Sequence, residues 1–364
     1  MKSRLLARPL AILIIVCGIS FTAPAERLPR TNLLVYHNQN GVVRPVESKR
    51  DWEQRRAEIL RGFAKVAGEL PDREAKWCEL EVQITEVEDC GSYERQLISY
   101  QSEPGSRVPA YLCLPKRALT GGKNFPAVLC LHPTDMKYGH RSVVETVRDY
   151  YRAYAHDLAT RGFVTIAPAY PLMANFQPDL ERLGWSSGTL KAVWDNQRAL
   201  DVLDALSFVN HRGYGVIGHS LGGHNALFTA AQDSRLKVVI SSCGFDAFPD
   251  YYGGDPQRWA PGQGWAQTRY MPGLSDYRHD LSGIPFDFPE LLGVLAPRMV
   301  FISAPLDDSN FRASSVDDCI RAARPIYQLY RAPGNLRVVH PSGGHDFPAP
   351  VREQAYRLLA EQLR

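Results

Sequence analysis

The chain has 364 residues, 45% of them hydrophobic and 22% charged, with a formal net charge of +3, which is enough apolar material for the core of one large α/β domain. Its charges are spread along the chain with no dense basic run and no acidic tail, which argues against nucleic acid as a partner. Beyond the first residues no apolar stretch is long enough to cross a bilayer.

Residues 1–25 read as an export signal. Lys2, Arg4 and Arg8 give the positive start, Leu10 to Phe21 the apolar run, and Ala23-Pro24-Ala25 the small-x-small cleavage pattern. The expected destination is secreted or periplasmic, with a retained anchor as the alternative. Removing Cys17 with the leader leaves six of the 7 cysteines, an even number in an oxidising compartment. Cys78 and Cys90 flank a strand-like run and could pair, while Cys113 and Cys130 lie inside apolar runs and read as buried thiols; the connectivity is not readable from the sequence. No C-x-x-C or H-E-x-x-H spacing occurs, so no metal site is predicted, and no organic cofactor.

The remaining residues, 26–364, read as a single domain. Asp51 to Leu70 has apolar residues near helical spacing (Trp52, Ile59, Leu60, Phe63, Val66), and Pro71 ends this helical extension. From Leu80 to Pro115 the pattern is that of antiparallel strands: Val82 to Thr85, Leu97 to Tyr100 and Val108 to Leu114. After Gly121-Gly122 short apolar runs recur at Ala127 to Leu131, Phe163 to Ala167, Tyr214 to Ile217, Val238 to Ser241, Met299 to Ile302 and Leu336 to Val339. Helix-length segments lie between most of them, at Val143 to Thr160, Leu190 to Phe208 and Val316 to Tyr330. Strands without polar alternation, separated by helices, imply a mostly parallel twisted sheet covered on both faces, here led by antiparallel strands. Residues 245–288 break this rhythm with Gly, Pro and aromatics, the pattern of an ordered insertion. Its Trp259, Trp265 and Tyr270 are read as substrate-lining surfaces for sugar rings, with a small satellite core as the alternative.

Gly218-His219-Ser220-Leu221-Gly222-Gly223 lies between the Tyr214 strand and a helix-like run. A serine on a sharp strand-to-helix turn, with glycines that let the backbone bend, is the nucleophile elbow of the α/β-hydrolase fold. Ligands of open α/β sheets bind at the carboxyl ends of the strands, and there Asp307 and Asp308 follow the Met299 strand and His345 follows the Leu336 strand. A serine hydroxyl needs an imidazole to take its proton, and that imidazole needs a carboxylate to fix its tautomer. The predicted triad is therefore Ser220, His345 and an aspartate, in the chain order of the α/β-hydrolases. His340 is the closest rival of His345 but ends the strand itself, whereas His345 lies in the glycine-bearing loop beyond it; His219 and His224, which flank the elbow, read as supporting or packing groups. Spacing from the strand end favours Asp307 as the acid. The oxyanion would be met by the backbone N–H of Leu221 and by one from His132-Pro133-Thr134, where Pro133 has none and Thr134 is favoured.

The chain resembles secreted bacterial α/β-hydrolases of the acetyl xylan esterase and dienelactone-hydrolase-like group. The resemblance rests on Asp51-Trp52 with Arg55-Arg56, on Arg161-Gly162-Phe163-Val164 before Ala167-Pro168-Ala169-Tyr170-Pro171, and on Trp194-Asp195-Asn196 with Arg198 and Asp201. It continues through Ser242-Cys243-Gly244-Phe245, Pro285-Phe286-Asp287-Phe288 and Gly344-His345-Asp346-Phe347-Pro348. It implies a serine carboxylic-ester hydrolase acting through an acyl-enzyme on a small-molecule or carbohydrate ester. The family pattern Ala304-Pro305-Leu306, then an acid before Asn310-Phe311, implies Asp308 as the triad acid in place of Asp307. A serine peptidase of the prolyl-oligopeptidase-like type would use the same triad, but its β-propeller cannot be built from the roughly one hundred residues before the parallel strands. A non-catalytic binding protein on the same fold is the reading from another class.

Overall fold

The structure, a computed structural model, describes residues 27–146 and 152–364. The predicted leader, residues 1–25, lies outside them. Val35–His37 (β1) and Val43–Pro45 (β2) form a two-stranded antiparallel ribbon. Helix α1, Lys49–Ala67, follows; its Ser48 side chain and Asp51 cap one another's backbone in a capping box. It buries Trp52, Ile59, Phe63 and Val66 along one face.

Among the described residues the main sheet has nine strands. Gln83–Asp89 (β3), Tyr93–Glu103 (β4) and Ser106–Pro115 (β5) run antiparallel, with the short helix α2, Lys116–Leu119, after them. Then come Ala127–Leu131 (β6), helix α3 (Tyr154–Thr160), Val164–Pro168 (β7), helices α4 (Leu180–Leu183) and α5 (Gly188–Asp204), and Tyr214–His219 (β8). Helix α6 (Leu221–Gln232), Leu236–Ser242 (β9), α7 (Phe288–Val294), Met299–Ser303 (β10), α8 (Ala313–Leu329), Leu336–Val339 (β11) and α9 (Ala349–Leu363) complete the order. Across the sheet the strands lie β11-β10-β9-β8-β6-β7-β5-β4-β3, and β6 to β11 are mutually parallel.

Residues of one strand alternate between two cores. In β6, Ala127, Leu129 and Leu131 belong to the core that includes α5, α6 and α8, whereas Val128 and Cys130 belong to the one that includes α3 and α9. Both faces are dry, which is why these runs carry no polar alternation. Between Val143 and Thr160 the expected long helix is replaced by a 3-10 turn at Gly139–Val143 and the short α3, with residues 147–151 outside the described part. Among the described residues, Val143 is buried from the 3-10 turn and Tyr154, Ala155, Leu158 and Ala159 from α3.

The segment between β9 and α7 is a series of 3-10 turns packed on α1. Phe63 of α1 meets Phe286 at 5.3 Å between ring centroids, and the buried Glu290 of α7 receives Arg55 at 2.5 Å and Arg27 at 2.5 Å. Charges buried this deeply persist only when paired, and both guanidinium groups serve one carboxylate. Cys78 and Cys90 are free thiols. They sit at opposite ends of β3, a strand of 7 residues. At roughly 3.3 Å per residue this is far beyond the reach of a disulfide.

Candidate active site

Parallel strands bring the loops after β6, β8, β9, β10 and β11 to one edge of the sheet. After β8, Ser220 takes φ 54° and ψ −120°, a strained conformation held because its N–H donates to Ser242 O at 2.8 Å. The sharp turn needs glycine behind it. A Cβ on Gly222 would lie 2.0 Å from Leu131 O, and one on Gly218 would lie 2.1 Å from Gly222 O.

His345, in the loop after β11, places Nε2 2.8 Å from Ser220 Oγ. Its Nδ1 lies 2.9 Å from each carboxylate oxygen of Asp308, in the loop after β10. Burial opposes ionisation of Asp308, but the hydrogen bond and charge of His345 and the N–H of Asn310 outweigh it and hold the carboxyl below the usual range. Asp307 is exposed and, among the described residues, its carboxylate accepts from Gly343 N–H at 3.3 Å. His340 points away, with Nδ1 on Ala304 O and Nε2 on Asp317. His219 is fully buried, with its ring 5.0 Å from that of His345 and Nδ1 on Ser242 Oγ. Burial first, and the nearby Arg152 and His345 second, drive its pKa far down and keep it neutral.

Leu221 opens α6, and as a first-turn residue its N–H has no intrahelical acceptor. Thr134, in the loop after β6, lines the same cavity as Leu221, and its hydroxyl pairs with Tyr270 OH at 3.1 Å. That loop is held by His132, whose Nδ1 bonds Pro133 O at 2.7 Å and whose Nε2 accepts the Tyr170 N–H at 2.9 Å. Burial lowers the His132 pKa to about 4, which keeps Nε2 an acceptor at neutral pH.

A cavity of about 130 Å³ opens beside Ser220. Trp265 and Tyr270 line it together with Tyr251, Tyr252 and Phe311. Trp259 does not: it is fully buried beneath, edge-on to Phe248 and Tyr251 at 5.7 Å each. The expected trio of substrate-lining aromatics therefore divides into two wall residues and one core residue. Trp265 itself rests on His224 at 4.4 Å, and burial takes the His224 pKa to about 3. Sequence reasoning did not single out Tyr252, Asn310 or Phe311 for the cavity; only the aromatic richness of the insertion signalled the first.

Comparisons with known proteins agree with this architecture. A family model for fungal glucuronyl esterases matches residues 183–330, which contain the Ser220 elbow and Asp308. Among curated proteins, the Bacillus subtilis protein named "Putative hydrolase YtaP" is 26% identical over 331 residues, covering 85% of this chain and 100% of that one. The 4-O-methyl-glucuronoyl methylesterase of Phanerochaete carnosa is 25% identical over 184 residues, 47% of this chain and 45% of its own. Among solved structures, a glucuronoyl esterase from Solibacter usitatus superposes with a TM-score of 0.71 at 20% identity, covering 94% of this chain and 99% of that one. The fold is that of the α/β-hydrolases, and the named enzymes similar to it are carboxylic-ester hydrolases.

Proposed function

We propose that this carboxylic-ester hydrolase works through a covalent acyl-enzyme on Ser220 and acts on esters of carbohydrates. One observation carries the reading: His345 bridges Ser220 Oγ at 2.8 Å and Asp308 at 2.9 Å. With Nδ1–H donated to the Asp308 carboxylate, Nε2 is the free lone pair that receives the Ser220 proton. Ser220 Oγ then attacks the ester carbonyl, and the N–H groups of Leu221 and Thr134 stabilise the oxyanion. The imidazolium of His345 passes its proton to the departing alcohol, and a water activated by the same ring releases the acid.

The cavity supports a sugar-borne ester. Trp265 and Tyr270 offer flat faces, Thr134 and Asn310 offer polar contacts, and none of the described side chains lining it is acidic or carries the positive charge of Lys or Arg. A peptidase that anchors a charged chain terminus needs such a group, which favours esters over peptides. The named activities of the similar enzymes favour a uronic acid ester, whose sugar carries the acyl carbon, over an acetylated sugar. The composition of residues 1–25 supports a site of action outside the cytoplasm.

The test pairs benzyl glucuronate with p-nitrophenyl acetate, acetylated xylo-oligosaccharide and a peptide nitroanilide. Glucuronate ester turnover exceeding the others, and lost in a folded Ser220→Ala variant, is the expected outcome. Full activity in Ser220→Ala would refute the mechanism, and faster cleavage of the acetylated sugar would reassign the ester. Failure to react with a fluorophosphonate would restore the non-catalytic reading.

A further inference from the structure

Cys243 holds a place at the catalytic edge that the mechanism above does not use. It is the first residue after β9, the strand between those that lead to Ser220 and to Asp308. It is 2% exposed, and its backbone takes φ 48°, a left-handed conformation uncommon for a residue with a side chain. Its N–H donates to Ser303 O at 2.9 Å, the last carbonyl of β10. The sulfur lies 3.3 Å from the carbonyl oxygen of Asp346, the residue after His345. Sγ, a carboxylate oxygen of Asp308 and a ring nitrogen of His345 all lie within 4.8 Å of one another. Burial, and then the neighbouring Asp308 carboxylate, push the thiol far above its ordinary range, so the sulfur keeps its proton and acts as a donor.

We infer that Cys243 is a positioning residue for the triad, its S–H donating to the Asp346 carbonyl and facing the Asp308 carboxylate, so that one side chain ties the acid loop to the histidine loop. The inference rests on the Ser-His-Asp reading above. Cys130, a buried thiol inside β6, meets a carbonyl of its own strand, Val128 O at 3.8 Å, and so ties no two loops together. Cys243 instead meets two oxygens from the two loops whose separation sets the His345 geometry. Ionisable groups close to it are Asp308 and His345, with Arg152 and His219 next to the histidine.

The experiment is a double-mutant cycle on p-nitrophenyl acetate, with Cys243→Ala and Cys243→Ser in the wild-type and Asp308→Asn backgrounds. Cys243→Ala is expected to lower kcat about tenfold at unchanged KM, the effect of losing the one hydrogen bond from the thiol to the Asp346 carbonyl. It should also displace the acidic limb of the pH profile, and Cys243→Ser should recover most of kcat. In Asp308→Asn the alanine substitution should have no further effect, because its route to the chemistry is already cut. Wild-type kcat and pH profile in Cys243→Ala would overturn the inference, as would the same fold-loss in the Asp308→Asn background. Full activity of Asp308→Asn alone would instead bring down the triad reading. If Cys243→Ala fails to fold, Cys243→Val and Cys243→Ser decide: loss of kcat in the valine variant with recovery in the serine variant supports the contact, and equal kcat in the two overturns it.

Discussion

Both carboxylate oxygens of Asp308 lie 2.9 Å from Nδ1 of His345, and the Asp308 side chain is 1% exposed. Its neighbour Asp307 meets, among the described residues, the backbone N–H of Gly343 at 3.3 Å and not His345. Asp308→Asn would present an amide to Nδ1 and favour the wrong tautomer. We therefore expect kcat to fall by about three to four orders of magnitude with little change in folding. Asp307→Asn should stay within about threefold of wild type, since a solvent-exposed carboxylate at that place touches no reacting group. Steady-state kinetics on one activated ester check both; a large loss in Asp307→Asn with none in Asp308→Asn would exchange their roles.

The elbow gives a second expectation. Gly222 lies so close to β6 that an added Cβ would sit 2.0 Å from Leu131 O, a backbone atom that cannot swing aside. Gly222→Ala must move either the start of α6 or the loop carrying Thr134, and both border the cavity beside Ser220. Overpacking of this kind costs about 1–3 kcal/mol. The variant should melt at lower temperature and lose kcat more than its stability loss explains. Unchanged kcat in a folded Gly222→Ala protein would show that the elbow relaxes freely.

How far these features can be read from the chain differs by residue. The apolar runs of β6, β8 and β10 were visible because a strand buried on both faces cannot alternate. The order of Ser220, Asp308 and His345 was visible because parallel strands send all their carboxyl ends to one edge. Between Asp307 and Asp308, strand-end spacing and the family pattern pointed to different residues. In the structure a local turn separates them: the Asp308 carboxylate accepts Asn310 N–H at 2.8 Å and is thereby aimed inward. Trp259 and Trp265 looked alike because composition reports aromatic mass and not the side of a loop it occupies. The long helix expected from Val143 failed because burial periodicity does not distinguish one helix from two short turns. The surroundings of Cys243 had no sequence signature, since the Asp346 carbonyl comes from 103 residues away.

The two tryptophans should separate in experiment. Trp265 forms a wall of the cavity and is 4% exposed, while Trp259 is wholly buried under it. Trp265→Ala should raise KM for a glucuronate ester far more than for p-nitrophenyl acetate, because only the former has a ring to rest on the indole. Trp259→Ala should cost about 3–5 kcal/mol of stability by opening a cavity in the core. Its KM, measured below the melting transition, should change equally for both esters. A selective KM effect in Trp259→Ala would place that residue in the binding surface after all.

Asp246, just past Cys243, gives a pH-dependent prediction of unusual sign. The residue is 2% exposed and accepts Arg312 N–H at 3.2 Å through one oxygen, and the other has no hydrogen-bond partner among the described residues. Burial, only partly offset by that backbone donor, raises its pKa from the ordinary 3.8 to about 8. In the unfolded chain the carboxyl loses its proton near pH 4, whereas in the folded protein it keeps it to about pH 8. Across that window the native state binds more protons than the unfolded one, so this group's contribution to stability falls as pH rises. Asp246→Asn, which mimics the neutral form, removes the dependence. The difference in Tm between Asp246→Asn and wild type should grow in favour of the variant from pH 5 to pH 8 and level off above it. A difference that stays constant over that range would mean the carboxylate ionises in place, with solvent or a cation compensating its charge.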